Sequence, residues 1–171
     1  MYNIGDNILY GTNGIMTVVD IRDERLTDEE KTYYVLREYS GATSSWTYVP
    51  MDNEKLVSSM HTLLTPDEVY AAIAEAGISP DVEWIPDSRA RAEAYKSILR
   101  TADRKEILVL IRTVYNTGLR RAAIGKKNFL TDESIMHKAE SIIAQEFSIS
   151  LGVSPDVARR IVDSDVKGIV V

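Results

Sequence analysis

The chain changes hydrophobic period once, and that change limits it to a β-type part followed by a helical part. Up to Asn53 the apolar residues come in short runs with turn signals between them. From Thr65 onward they recur at helical spacing. Ile8-Leu9-Tyr10 is a first strand. Gly11-Thr12-Asn13-Gly14 follows it, and Asn-Gly predicts a type I′ hairpin turn, which needs positive φ at both central residues. Ile15–Ile21, Tyr33–Leu36 and Trp46–Val49 read as further strands. The polar stretch Arg22–Lys31 reads as a loop or ribbon tip, and Pro50 ends the fourth strand. Strands this short on short connections predict a small antiparallel barrel.

Thr65-Pro66-Asp67-Glu68 is a helix start, with Thr as cap, Pro in the first turn and Glu three residues after the cap. That helix is expected to run to Gly77. A second starts at Asp87 or Ser88 and runs to about Thr101. Asp103 caps a third, with an apolar face of Ile107, Leu108, Leu110, Ile111, Val114 and Tyr115. Gly118 and Gly125 are expected to break the chain. Thr131-Asp132-Glu133-Ser134 starts a fourth, long helix through Phe147, and Ser154-Pro155-Asp156 a short fifth. Ile169-Val170-Val171 forms an apolar tail. The boundary is expected between Asp52 and Thr65, dividing a domain of residues 1–62 from one of residues 63–171.

Charge is also distributed unevenly along the chain. Residues 1–80 hold 5 Lys and Arg against 13 Asp and Glu, whereas residues 81–171 hold 15 against 13. Within residues 88–127 there are 11 basic and 3 acidic residues, a net of +8 in a chain of net −6. Such a bipolar chain suits an anionic partner for its basic block and a different partner for its acidic half. Arg89, Arg91, Lys96 and Arg100 fall within about three helical turns. Lys96 lies seven residues after Arg89 and four before Arg100, so the three share a face suited to phosphates. Arg104 and Lys105 extend it. Arg120-Arg121 and Lys126-Lys127 flank Gly125 and are set apart from it.

The chain has no cysteine, which excludes disulfide scaffolds, thiolate metal sites and cysteine nucleophiles. Its two histidines, His61 and His137, carry no metal or triad signature, and no Gly-rich phosphate loop is present. We expect neither catalytic residues nor a cofactor or metal. No apolar run approaches the roughly 18 residues of a membrane span, and the first residues lack signal-peptide features. The expectation is a soluble cytoplasmic monomer that does not bind membranes.

Ile4-Gly5-Asp6-Asn7-Ile8-Leu9-Tyr10, Asn13-Gly14, Tyr33-Tyr34-Val35-Leu36 and Val49-Pro50-Met51-Asp52-Asn53 together resemble the CarD/CdnL family of RNA polymerase-binding transcription regulators. The same module is similar to the polymerase-interacting domain of transcription-repair coupling factors. Trp84 followed by a basic helix with Tyr95-Lys96, and then an apolar helix, resembles the family's DNA-binding domain. The resemblance implies a Tudor-like barrel that docks on the polymerase β subunit and an all-helical domain of about five helices. It further implies that Trp84 wedges into the minor groove at the upstream edge of the promoter bubble, stabilising the open complex, largely independently of sequence. Such a protein is nucleoid-associated.

The chain departs from the family at Gly11, where proline is usual after the tyrosine. A polymerase-contacting arginine of the family falls at Tyr48 and another near Glu24 and Arg25. Arg25, Tyr48 and the aromatic Trp46 are therefore the candidate polymerase contacts. Trp84, Arg89, Arg91, Lys96, Arg100 and Arg104 are the candidate DNA contacts, with either Arg89 or Arg91 as the main phosphate contact. The alternative is a non-catalytic protein-interaction adaptor without direct DNA contact, in which the basic block is solvated surface.

Overall fold

The computed structural model describes residues 1–170 and divides into two compact units, Met1–Leu63 and Leu64 onward. The first unit holds β1 (Asn7–Tyr10), β2 (Ile15–Glu24), β3 (Lys31–Glu38), β4 (Trp46–Pro50), a single helical turn α1 (Glu54–Val57) and β5 (Met60–Thr62). All pairings are antiparallel, in the order β4-β3-β2-β1-β5. β4 and β5 are not paired with each other, so the sheet is open rather than closed into a barrel. Strand alternation sends Ile8, Tyr10, Met16, Val18, Tyr34, Leu36, Val49 and Met60 into one cluster. A register shift between Val18 and Asp20 bends the long β2.

The β1–β2 connection is a hairpin, but not of type I′. Gly11–Asn13 form one 3-10 turn, and positive φ falls on Gly11 (50°) and Gly14 (79°) rather than on Asn13. The ribbon tip is shorter than expected, because β2 continues to Glu24 and β3 starts at Lys31. α1 and β5 go beyond the sequence reading. Asn53 caps α1 by accepting from the Leu56 amide at 3.1 Å, and β5 exists through its pairing with β1, Leu9 opposite His61.

The second unit contains α2 (Pro66–Ile78), α3 (Ser88–Thr101), α4 (Arg104–Ala122), α5 (Leu130–Leu151) and α6 (Pro155–Ile161), the last continuing into a π turn, Val162–Val166. Four starts carry the side-chain caps expected of them. Thr65 forms a full capping box with Glu68, and Asp87, Asp103 and Ser154 accept from Ala90, Glu106 and Val157. One core unites the helices. It takes Tyr95 and Leu99 from α3, Ile107, Leu108, Leu110, Ile111 and Val114 from α4, and Ala139, Ile143 and Phe147 from α5.

Two expectations fail here. Gly118 lies inside α4 rather than ending it. Glycine in a helix interior costs only about 1 kcal/mol, and space is needed at this position. A Cβ there would lie 2.8 Å from Asn128 Nδ2, which donates to the Val114 carbonyl at 3.2 Å. α5 starts at Leu130 with Phe129 as an N-cap that makes no side-chain bond, so Thr131 is not its cap; the helix runs on to a left-handed Gly152. Of the expected apolar tail, Val171 lies outside the described residues. No helix among the described residues is long and apolar enough to cross a membrane.

The Thr65 amide and then its hydroxyl hold the Glu68 carboxyl below its ordinary range. This contribution is present above the unfolded carboxylate range and is lost as pH falls through the folded pKa. Thr65→Ala is expected to lower stability by about 1 kcal/mol, seen as a shifted urea midpoint, with a smaller difference at acid pH. A midpoint unchanged at neutral pH contradicts the cap.

Candidate nucleic-acid interface

Trp84 lies in the connection between α2 and α3, which contains Pro80 and Pro86. Proline restricts this segment, but side chains from the helices set its path. The Val82 amide donates to Thr113 Oγ1 on α4 at 3.0 Å. Arg91, on the first turns of α3, donates through Nη1 to the carbonyls of Ile85 (2.8 Å) and Pro86 (3.3 Å). Its Nε donates to Asp132 Oδ2 on α5 at 2.8 Å. The guanidinium also lies 4.3 Å from the Trp84 ring centroid and 4.6 Å from that of Phe129. The two rings are 5.7 Å apart and tilted by 38°. Arg91 is 1% exposed, whereas Trp84 remains 46% exposed. A buried cation thus holds a tryptophan at the surface.

This geometry corrects two candidate DNA contacts. Arg91 is buried out of a phosphate's reach, with its Nε on a carboxylate, its Nη1 on two carbonyls and its guanidinium over two rings. Arg104 is not a phosphate contact either. Its side chain is 10% exposed and pairs at 2.9 Å with Glu146, which is fully buried and also accepts from the Leu64 amide. Its Nη1 donates to the Ala102 carbonyl, at the left-handed end of α3. Arg112 has a similar structural task at the end of α2, donating to the carbonyls of Ala76 and Ser79 and pairing with Asp81.

The other cations divide in two. On the exposed face of α3, Lys96 and Arg100 both approach Glu93, at 3.5 and 3.9 Å, while Arg89 has no carboxylate partner among the described residues. Exposed pairs of this kind contribute at most about 1 kcal/mol, so Lys96 and Arg100 remain recruitable by phosphate. Arg120, Arg121, Lys126 and Lys127 form no ion pair with a carboxylate among the described residues, and the fold places Arg120 and Arg121 beside the tryptophan. Trp84, Thr117, Arg120, Arg121, Ile124 and Phe129 line one shallow cleft of about 320 Å³. Arg121 lies 4.0 Å from the Phe129 centroid, and its Nε donates to the Lys127 carbonyl at 2.7 Å.

Sequence reading set these four cations apart from Trp84 and passed over Phe129 and Ile124. The available signal was the run Arg120-Arg121 to Lys126-Lys127-Asn128-Phe129, basic residues leading into an aromatic. Burial, and next the Asp132 carboxylate, push the nearby Tyr95 hydroxyl up, so it stays neutral.

In the first unit, Trp46 and Tyr48 alternate along the edge strand β4, with Trp46 48% exposed. Arg22 lies 5.7 Å from both ring centroids and donates to the Tyr48 hydroxyl at 2.8 Å. Tyr33 meets Tyr48 edge-on at 6.2 Å. Arg25 is separate from this group. It lies in the β2–β3 turn and donates to the Asp28 carbonyl at 3.1 Å. Arg22 is the member that sequence reading missed, since it was taken for a loop residue. His61 lies in β5, and His137 lies on α5, 3.0 Å from Glu140.

Compared with protein-family models and with curated proteins, the chain gives no match.

Removing one partner of a buried pair leaves an uncompensated charge. Arg91→Ala is expected to destabilise the helical unit by about 3 kcal/mol or more, measured by urea denaturation. A variant as stable as the wild type would return Arg91 to the list of phosphate contacts.

Proposed function

We propose that this chain is a transcription regulator that binds the RNA polymerase β subunit through its first unit and promoter DNA through its second, stabilising the open complex at the upstream bubble edge. The observation that carries the reading is Trp84: a half-exposed indole fixed by a buried guanidinium, with unpaired cations beside it. A rigid apolar ring offsets the cost of unstacking a base step with new contacts, and that cost is lower where the duplex already opens. Cations neutralise the flanking phosphates without reading sequence.

The resemblance to the CarD/CdnL family supports the polymerase half. On this reading the first unit, an open antiparallel sheet with a short β5 returning to β1, is a Tudor-like module without barrel closure. The Trp46–Arg22–Tyr48 group supplies the aromatic and arginine chemistry of an interface centre. On this reading the protein is a cytoplasmic, nucleoid-associated monomer.

One observation favours the adaptor alternative. Leu119, Ile124 and Leu130 are 53%, 67% and 81% exposed around the α4–α5 connection. Clustered exposed apolar residues suit a protein partner.

The test is the lifetime of polymerase–promoter open complexes after competitor challenge. The full chain is expected to lengthen it. Trp84→Ala is expected to remove most of that effect while still co-purifying with the β subunit, and Trp46→Ala to weaken co-purification. An unchanged lifetime with folded wild-type protein favours the adaptor. Loss of polymerase binding in Trp84→Ala would contradict the assignment of polymerase binding to the first unit alone and of Trp84 to DNA.

A further inference from the structure

A wedge needs only a protruding ring, yet the structure has a concave feature beside it. The cleft next to Trp84 has an apolar lining in Trp84, Phe129 and Ile124, and two arginines, Arg120 and Arg121, that pair with no carboxylate among the described residues. At about 320 Å³ it lies at the small end of ligand-sized pockets. Its one hydroxyl is occupied. Thr117 Oγ1 donates to the Thr113 carbonyl at 2.8 Å and accepts from Arg120 Nη2 at 3.2 Å. The Phe129 ring is held by Arg91 at 4.6 Å and Arg121 at 4.0 Å, so this wall of the cleft is braced before any ligand arrives.

We infer that this cleft takes one unpaired nucleobase of a DNA strand, stacked on the exposed part of the Trp84 ring and seated against the wall formed by Phe129 and the Arg121 guanidinium over it, with the adjoining phosphates on Arg120 and Arg121. The inference rests on the reading of the chain as a DNA binder at a melted edge and gives that site a second contact, capture of an extruded base as well as insertion of a ring. Aromatic lining and cationic rim together match a nucleotide, whose flat apolar face and negative phosphate sit side by side. An acidic peptide matches the rim but leaves the exposed part of the Trp84 ring without a planar partner. Every base offers a π-face, and the Thr117 hydroxyl has already given its hydrogen to the Thr113 carbonyl, so the stacking part of capture is indifferent to base identity.

The experiment uses the full chain and a forked DNA, a duplex with an unpaired oligothymidine arm. An abasic residue is moved one position at a time along the arm, and Kd is measured by anisotropy. Stacking of one base contributes about 1–3 kcal/mol, so one position is expected to raise Kd about tenfold while the others change it little. In Phe129→Leu, with its fold checked by urea midpoint, that position-specific penalty is expected to disappear. Equal Kd at every abasic position overturns base capture while leaving DNA binding in place. A penalty that persists undiminished in Phe129→Leu overturns the cleft as its location. No measurable binding to any forked DNA overturns both the capture and the DNA-binding reading beneath it.

Discussion

The buried Arg91–Asp132 pair is the interaction on which the geometry of the helical unit's surface depends. One guanidinium joins α3, the Trp84 connection and the start of α5, and lies against both aromatic rings. Two charges removed from water are tolerated only with good geometry and further hydrogen bonds. Here Arg91 has both, through Asp132 and two backbone carbonyls. The result is a tryptophan whose position is set from below, so that little side-chain entropy remains to be lost when it meets a partner.

The same reasoning sorts the basic block by what its charges already do. Arg91, Arg104 and Arg112 hold the helical unit together. Lys96, Arg100 and Lys105 share surface carboxylates. Arg89, Arg120, Arg121, Lys126 and Lys127 remain without an acidic partner among the described residues. A net of +8 along a segment therefore overstates the field that an approaching polyanion meets from α3 and understates that near the α4–α5 connection. The two arginines that share a cleft with Trp84 come from sequence more than thirty residues away.

What was legible in the sequence was local. Thr65, Asp87, Asp103 and Ser154 act on amides three residues away, so the helix starts could be read directly. The apolar face of α4 follows from helical period. Two elements were missed for different reasons: β5, three residues long, exists through its pairing with β1, whereas α1 is a single turn too short to show a helical period although Asn53 caps it locally. Function was harder to read than fold for the reason that hid β5. Arg89 and Arg91 are alike in sequence, and only Asp132, 41 residues on, assigns one of them to the interior. Phe129 and Arg121 acquire meaning only through the turn at Gly125, which brings the end of α4 and the start of α5 together. Arg22 was hidden by an early end assigned to β2, although alternation from Asp20 places it on the face of Tyr33 and Tyr48.

The central claim is that DNA meets the unpaired cations beside Trp84 rather than the arginines of the interior. The most direct measurement is the salt dependence of forked-DNA binding by the wild type and by the double variant Arg120→Gln, Arg121→Gln. Each phosphate contact contributes about 0.9 to the slope of log K against log salt on duplex DNA, and about 0.7 on a single strand. The account predicts a slope shallower by about 1.4 to 1.8 in the double variant, with an unchanged urea midpoint. An unchanged slope in a folded double variant would contradict it and move the phosphate contacts back to the α3 face.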